Sequence, residues 1–332
     1  MRPTPPALLL TRSDIASVLS LDDCIAAVEA VFADHARGET IPPGLLHGDG
    51  VGGEFHLKAG GLLAPAPRYA CKVNGGFFQN GPRHDLPAIQ GLILLYDAAN
   101  GVPLAVAESG LITMLRTGAA TAVAAKQLAR ADAATVTLCG AGVQGAMQLR
   151  ALARVRPLRR ISVWDLDPAR AADFATRMAP ELGCEVREVR DLKTASLASD
   201  IIVTCTPAKK WFLGREHVRS GTFVAAVGAD SPGKQEIEPQ LLASAVVVCD
   251  LLAQCAEVGD LHHALAEGLM DRAQVRGEIG AIIAGRAPGR RDDTETVIYD
   301  ATGTALQDAA ALSVAYDHAV AAGRGTRFAF SS

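Results

Sequence analysis

The sequence predicts an α/β fold of two domains, one a parallel sheet of alternating strands and helices, the other an α+β unit. Three observations lead there. From Val136 to Cys249, short β-branched runs alternate with helical stretches, the pattern of βαβ units whose sheet is covered on both faces. The first of these runs ends in a glycine-rich turn, Gly140-Ala141-Gly142-Val143-Gln144-Gly145, that opens a helix. Residues 41–100 are instead rich in Gly and Pro, with isolated β-type pieces, as in an antiparallel or mixed sheet.

In chain order, Leu21 to Ala36 is a helical stretch with Asp22 and Asp23 near its start, where acidic side chains meet the positive end of the helix dipole. Short β pieces follow at Phe55–Leu57, Tyr69–Val73 and Leu92–Tyr96. Ser109 to Ala129 is Ala- and Leu-rich with few breakers and predicts a long helix leading into the parallel-sheet domain. Then come strands at Val136–Cys139, Ile161–Trp164, Cys184–Val189, Ile201–Thr204, Thr222–Val227 and Ala245–Cys249, with helices from Met147 to Val155 and from Pro168 to Met178. Pro168 suits a first helical turn, where its missing N–H costs nothing. After Val297–Tyr299 a last Ala-rich helix begins near Ala305. The domain reading is therefore 1–118 for the α+β domain, 119–304 for the parallel-sheet domain, and 305–332 returning to the first, which makes that domain discontinuous.

Composition narrows the class. Of 332 residues 49% are hydrophobic and 20% charged, and the formal charge is −4. No basic stripe tracks along the chain, so nucleic acid is not expected as a partner. No apolar run reaches the ~18–20 residues that span a bilayer, and Ala7–Leu10 is too short for the apolar core of a signal peptide. The seven cysteines include no CxxC pair and sit partly in apolar runs, as reduced core thiols of a cytoplasmic protein do. No histidine spacing suits a metal, and the adjacent His262-His263 would point to different faces of a helix.

The glycine-rich turn carries the clearest chemistry. Gly140 permits the tight turn, Gly142 lets the backbone approach a pyrophosphate, and Gly145 allows the helix to pack against the strand. The helix N-terminus offers free N–H groups to the diphosphate. Asp165, about 20 residues beyond the last motif glycine and at the end of the next strand, is placed to accept the ribose hydroxyls and to repel a 2′-phosphate. This is a Rossmann-type unit, and NAD is expected in preference to NADP. Asp167 competes for the ribose role, its alternative being the N-cap before Pro168.

Five segments together are more specific: Lys72-Val-Asn74, Leu115-Arg116-Thr117-Gly-Ala-Ala-Thr121, Gly140-Ala-Gly-Val-Gln144, Val227-Gly228-Ala-Asp230 and Asp300-Ala-Thr-Gly303. Through them nearly the whole chain resembles the ornithine cyclodeaminase/mu-crystallin family. The resemblance implies a homodimer whose N-terminal domains pair into a shared sheet or barrel, and a Rossmann domain that carries the nicotinamide into a cleft between the domains. It implies that Lys72 is the active-site lysine beside the substrate carboxylate and the reacting carbon. Arg116 would bind that carboxylate and neighbour the nicotinamide, and Asp230 would be the acid/base. Thr117, Val143, Gln144, Thr206, Gly228 and Gly303 join Gly140, Gly142, Gly145 and Asp165 as cofactor contacts.

The chain also departs from the family pattern. Ile41-Pro-Pro-Gly44 carries glycine where an arginine that contacts the carboxylate is expected, and Phe55-His56-Leu-Lys58-Ala59 replaces the usual Met-Pro-Ala segment. Lys58 and His56 become candidate substrate contacts in its place. Leu62-Leu63 and Phe77-Phe78 suggest an apolar pocket near Lys72. The resulting expectation is an NAD(P)-dependent oxidoreductase acting on a C–N bond of an amino acid, imino acid or imine. The alternatives are a cyclodeaminase-type lyase that recycles NAD within each turnover, and a non-catalytic nucleotide- or ligand-binding protein.

Overall fold

The structure is a computed structural model and describes residues 4–330. The chain divides into two compact units. One comprises, of the described residues, 4–116 and 304–330, the other Thr117–Gly303.

The first unit opens with β1 (Ala7–Leu10), α1 (Arg12–Val18), α2 (Leu21–Arg37), β2 (Thr40–Gly50), β3 (Gly53–Leu62), β4 (Arg68–Gly76), α3 (Asn80–His84), β5 (Ile89–Asp97), β6 (Pro103–Glu108) and the start of α4 (Ser109–Leu128). In the second unit β7 (Thr135–Cys139), α5 (Val143–Ala153), β8 (Arg160–Trp164), α6 (Pro168–Leu182), β9 (Glu185–Glu188), α7 (Leu192–Leu197), β10 (Ile201–Thr204), β11 (Lys209–Leu213), β12 (Phe223–Ala226) and β13 (Gln235–Ile237) come first. They are followed by α8 (Pro239–Ser244), β14 (Val246–Cys249), α9 (Leu252–Val258), α10 (Asp260–Ala266), β15 (Gly277–Glu278), α11 (Ile279–Ile283) and β16 (Val297–Asp300). The chain then returns to the first unit with α12 (Ala305–Ala321) and β17 (Thr326–Phe328).

In the first unit the described strands form one seven-stranded sheet in the order β17-β1-β6-β5-β4-β3-β2. It is mixed, since β1 runs parallel to β6 while the other pairs are antiparallel. The strands are longer than the β-type pieces in the sequence suggest, and β1 and β2 were not legible there as strands. Pro42 and Pro43 obscure β2. They are tolerated because β2 is the sheet edge and its register shifts between Ile41 and Gly44, so no ladder hydrogen bond needs their missing N–H. Capping boxes start both early helices, Thr11 with Asp14 and Ser20 with Asp23, each satisfying two otherwise orphaned N–H groups. Helix α12 lies on the sheet face formed by β2 to β5 and is buried along most of its length.

The second unit holds an all-parallel sheet in the order β15-β14-β16-β12-β10-β7-β8-β9. Its central strands β10, β12 and β16 are buried at every residue, as the run of apolar residues in each requires. The order reverses between β7 and β10, and the loops leaving the carboxyl ends of these two strands diverge there, the place where doubly wound sheets bind ligands. Helix α5 starts at Val143, one turn before the apolar periodicity suggests, because Gly142 is its N-cap. Helix α6 runs beyond Met178 to Leu182 and stops at Gly183, whose φ of 64° is the left-handed C-cap conformation.

Candidate active site

In the second unit the glycine-rich turn has the geometry its residues predict. Gly140 has φ 111°, a conformation an L side chain rarely adopts, and a Cβ there would stand 2.9 Å from the carbonyl oxygen of Cys205. A Cβ on Gly145 would meet the Gly140 carbonyl oxygen at 2.3 Å, so only glycine lets α5 lie this close to β7. Asp165 Oδ2 accepts the Ala141 N–H at 2.8 Å, while Arg170 Nε donates to the Ala141 carbonyl at 3.2 Å. The two peptide groups that flank Ala141 in the middle of the turn are thus both held. Asp167 caps α6 through Ala169 N and Arg170 N, which leaves Asp165 as the carboxylate directed at the turn. Val143 is exposed, and Gln144 Oε1 is buried with no hydrogen-bond donor among the described residues. An exposed helix start and a backbone that tolerates no Cβ fit a dinucleotide diphosphate.

Thr206 follows β10 and Gly228 follows β12, beside the turn in the same sheet. Gly303 lies beyond β16 and donates its N–H to Asp250 at 2.6 Å. Asp230, in the loop after β12, pairs with Lys234 at 2.5 Å. Thr117 sits half-buried on α4 at the boundary of the unit.

The first unit brings Lys72, Lys58, His56 and Arg116 together. In β3 and β4 the register puts Lys58 opposite Lys72 and His56 opposite Asn74, all on the face under α12 and all buried. From α12 comes a residue the sequence does not single out, Asp308. Its carboxylate meets Lys72 Nζ at 2.6 Å and Arg116 Nε at 2.9 Å. Gln307 accepts from Arg116 Nη1 at 2.9 Å and leaves its own Nε2 buried without an acceptor among the described residues. Asn74 is fixed by Ser109 Oγ at 2.5 Å. One carboxylate therefore faces several cations. Burial first, then the charge of Arg116, bring the Lys72 pKa down to about 7 against the pull of Asp308. Burial alone would raise the Asp308 pKa, but Lys72 and Arg116 reverse this and hold it low.

Two expectations need correction. Phe77 packs edge-on against Phe55, with centroids 5.5 Å apart, and Phe55 stands on the sheet face away from Lys72. The side-chain period of two places it there, so these rings do not line a pocket beside Lys72. Gly44 pairs with Ala59, on that same outer face, so a side chain at 44 would point away from Lys58.

Asp308, Gln307, Lys234 and Arg170 were missed by the motifs. Asp308 had one sequence signal, an acidic residue in the Ala- and Leu-rich first half of a helix.

The sequence profile of the ornithine cyclodeaminase/mu-crystallin family matches residues 6–323. The chain belongs to that family. Three solved members of similar sequence share its fold. An archaeal alanine dehydrogenase dimer with bound NAD is 32% identical, covering 98% of this chain and 99% of that one, with a TM-score of 0.92. The Δ1-pyrroline-2-carboxylate reductase of Thermococcus litoralis, in complex with NADH and L-proline, is 31% identical over 96% of this chain and 99% of that one, with a TM-score of 0.91. The iminosuccinate reductase of Paracoccus denitrificans, in complex with NAD+, is 34% identical over 97% and 99% of the two chains, with a TM-score of 0.87. As in these family members, the fold here combines a parallel Rossmann sheet with a second, mixed sheet.

Proposed function

We propose that this protein is an NAD-dependent oxidoreductase that reduces a small imino acid, or reversibly deaminates the corresponding amino acid. The observation that carries the reading is the buried Lys72–Asp308–Arg116 cluster, with its lysine pKa near neutrality. A permanently charged guanidinium beside a lysine poised to exchange protons suits a carboxylate next to a C–N bond. In this reading Arg116 holds the substrate carboxylate and Asp308 fixes the guanidinium. Lys72 gives a proton to, or takes it from, the reacting group or a water beside it, and Asp230 exchanges a proton with the amine or with water. Lys58 and His56 complete the substrate wall. Bound NAD supplies the hydride donor or acceptor. Gly140, Gly142, Val143, Gln144 and Gly145 receive its diphosphate and Asp165 its ribose, with Thr117, Thr206, Gly228 and Gly303 as the remaining contacts. The free thiols of the described cysteines fit a reducing, cytoplasmic setting.

Absorbance at the reduced-nicotinamide band tests this with a panel of cyclic and acyclic imino acids and amino acids. Substrate-dependent change in NADH, with NADH used better than NADPH, is expected. Ammonia release with no net change would replace the reading with a cyclodeaminase. A protein that binds NADH but turns over nothing in the panel would overturn the enzymatic reading in favour of a binding protein.

The outer face of the first unit's sheet supports a dimer. Leu46, Leu57, Val73 and Leu92 stand in one cross-strand row, and Leu46, Val73 and Leu92 are 62%, 37% and 54% exposed. This face carries the apolar residues while the helix-covered face carries the lysines, the reverse of a sheet made to meet water. A second copy of the chain is the partner we assign to it. Val73→Asp with Leu92→Asp should convert a dimer to a monomer in light scattering, and a wild-type monomer at micromolar concentration would refute the assignment.

A further inference from the structure

Glu236 takes no part in the chemistry above, yet its carboxylate is wholly buried among the loops of the second unit. It lies on β13. Its Oε1 accepts Thr206 N at 2.6 Å and Thr206 Oγ1 at 2.7 Å, and its Oε2 accepts Gly228 N at 2.9 Å. Thr206 opens the loop after β10 and Gly228 the loop after β12, two strands that are neighbours in the sheet. The approach is close enough that a Cβ on Gly228 would stand 2.4 Å from the Glu236 carboxylate and 2.5 Å from the Thr206 carbonyl oxygen. Glycine at 228 is therefore a requirement of this contact.

The segment between the two residues is closed on itself. Lys234 N donates to Ser231 O at 3.0 Å, and Lys234 Nζ pairs with Asp230 at 2.5 Å. Behind Glu236 stand two more buried carboxylates. Asp260 Oδ1 accepts the N–H groups of Glu236 and Ile237 at 2.8 and 2.9 Å. Asp300 in turn accepts those of Asp260 and Leu261 at 3.3 and 2.9 Å. Each carboxylate grips the backbone that carries the next, from the end of β16 to the two loops. Burial, with the like charge of Asp260 added, raises the Glu236 pKa to about 7. A carboxylate placed at such cost needs donors fixed to meet it.

We propose that Glu236 is a positioning residue that ties the Thr206 and Gly228 loops together, so that the dinucleotide and Asp230 meet a backbone already in place. The inference rests on the dinucleotide reading above. Glutamine has the same shape, but its NH2 would face one of the N–H donors that a carboxylate oxygen accepts. A residue that only filled space would be replaced by it without loss.

The test is Glu236→Gln in the full chain, with NADH binding followed by fluorescence and turnover measured separately. We expect the NADH Kd to rise about tenfold or more and kcat to fall. Binding and kcat both within about twofold of wild type, a difference under ~0.5 kcal/mol, would overturn the proposal. Amide hydrogen exchange on the wild-type protein keeps the idea testable if the variant does not fold. The Thr206 and Gly228 amides should be protected although both lie in loops, and exchange at exposed-loop rates would refute the tie. Wild-type protein that binds no NADH would sink the dinucleotide reading and this inference with it, an outcome distinct from a wild type that binds and a Gln variant that binds equally well.

Discussion

Replacing Lys72 with methionine should lower turnover by roughly 10²-fold or more, the usual scale of a lost acid/base group, while the protein stays folded. Methionine keeps most of the lysine's length without its charge. The cluster that surrounds it loses one of the cations crowding Asp308, and Arg116 Nε still bonds that carboxylate at 2.9 Å. Wild-type turnover in the reductive direction should fall as pH rises through about 7, where Lys72 gives up its proton, and that limb should vanish in the variant. For stability the sign is opposite. The folded-state pKa is depressed from 10.5 to about 7, so between those values the unfolded chain binds more protons and this group makes stability rise with pH. Asp230→Ala should cost turnover on a similar scale. Rates close to wild type in both variants would refute the roles given to these residues.

Asp308→Ala should destabilise the protein by about 3–5 kcal/mol, the range for removing one member of a buried ion pair. The Lys72 and Arg116 side chains are only 2% and 6% exposed, so without the carboxylate their charges have neither water nor a counter-ion. Denaturant titration measures the loss, and a variant as stable as wild type would refute the argument. Adding Lys72→Met to Asp308→Ala should recover part of the stability, because one stranded cation is removed. The non-additivity, read from the double-mutant cycle, reports the pair directly. Acid should imitate the mutation. Since Asp308 titrates below its ordinary 3.8, its contribution is present above that pH and is lost as pH falls through the folded value.

The parallel-sheet half was largely legible in the sequence because its signals are local. Apolar runs, a glycine turn, Pro168 at a helix start and an acidic residue at a strand end each act over a few residues. The structure puts β7, α5, β8 and α6 where those signals lie, with ends shifted by a turn or less. The antiparallel part was harder. Pro42 and Pro43 argue against a strand unless one knows that β2 is an edge, and no local signal says so. Ala7–Leu10 was too short to read until β6 and β17 paired with it.

Lys72 and Arg116 were visible as motif residues, but what they face was not. Asp308 lies 192 residues from Arg116 and enters from a helix that returns to the first unit after the whole parallel sheet. Glu236 was hidden for a related reason, since its importance lies in two backbone N–H groups that carry no sequence signature. Residue types and short-range periodicity decide which elements form and which glycines a turn demands. Which buried charges share a counter-ion depends on chain segments distant in sequence, and only tertiary packing brings those together.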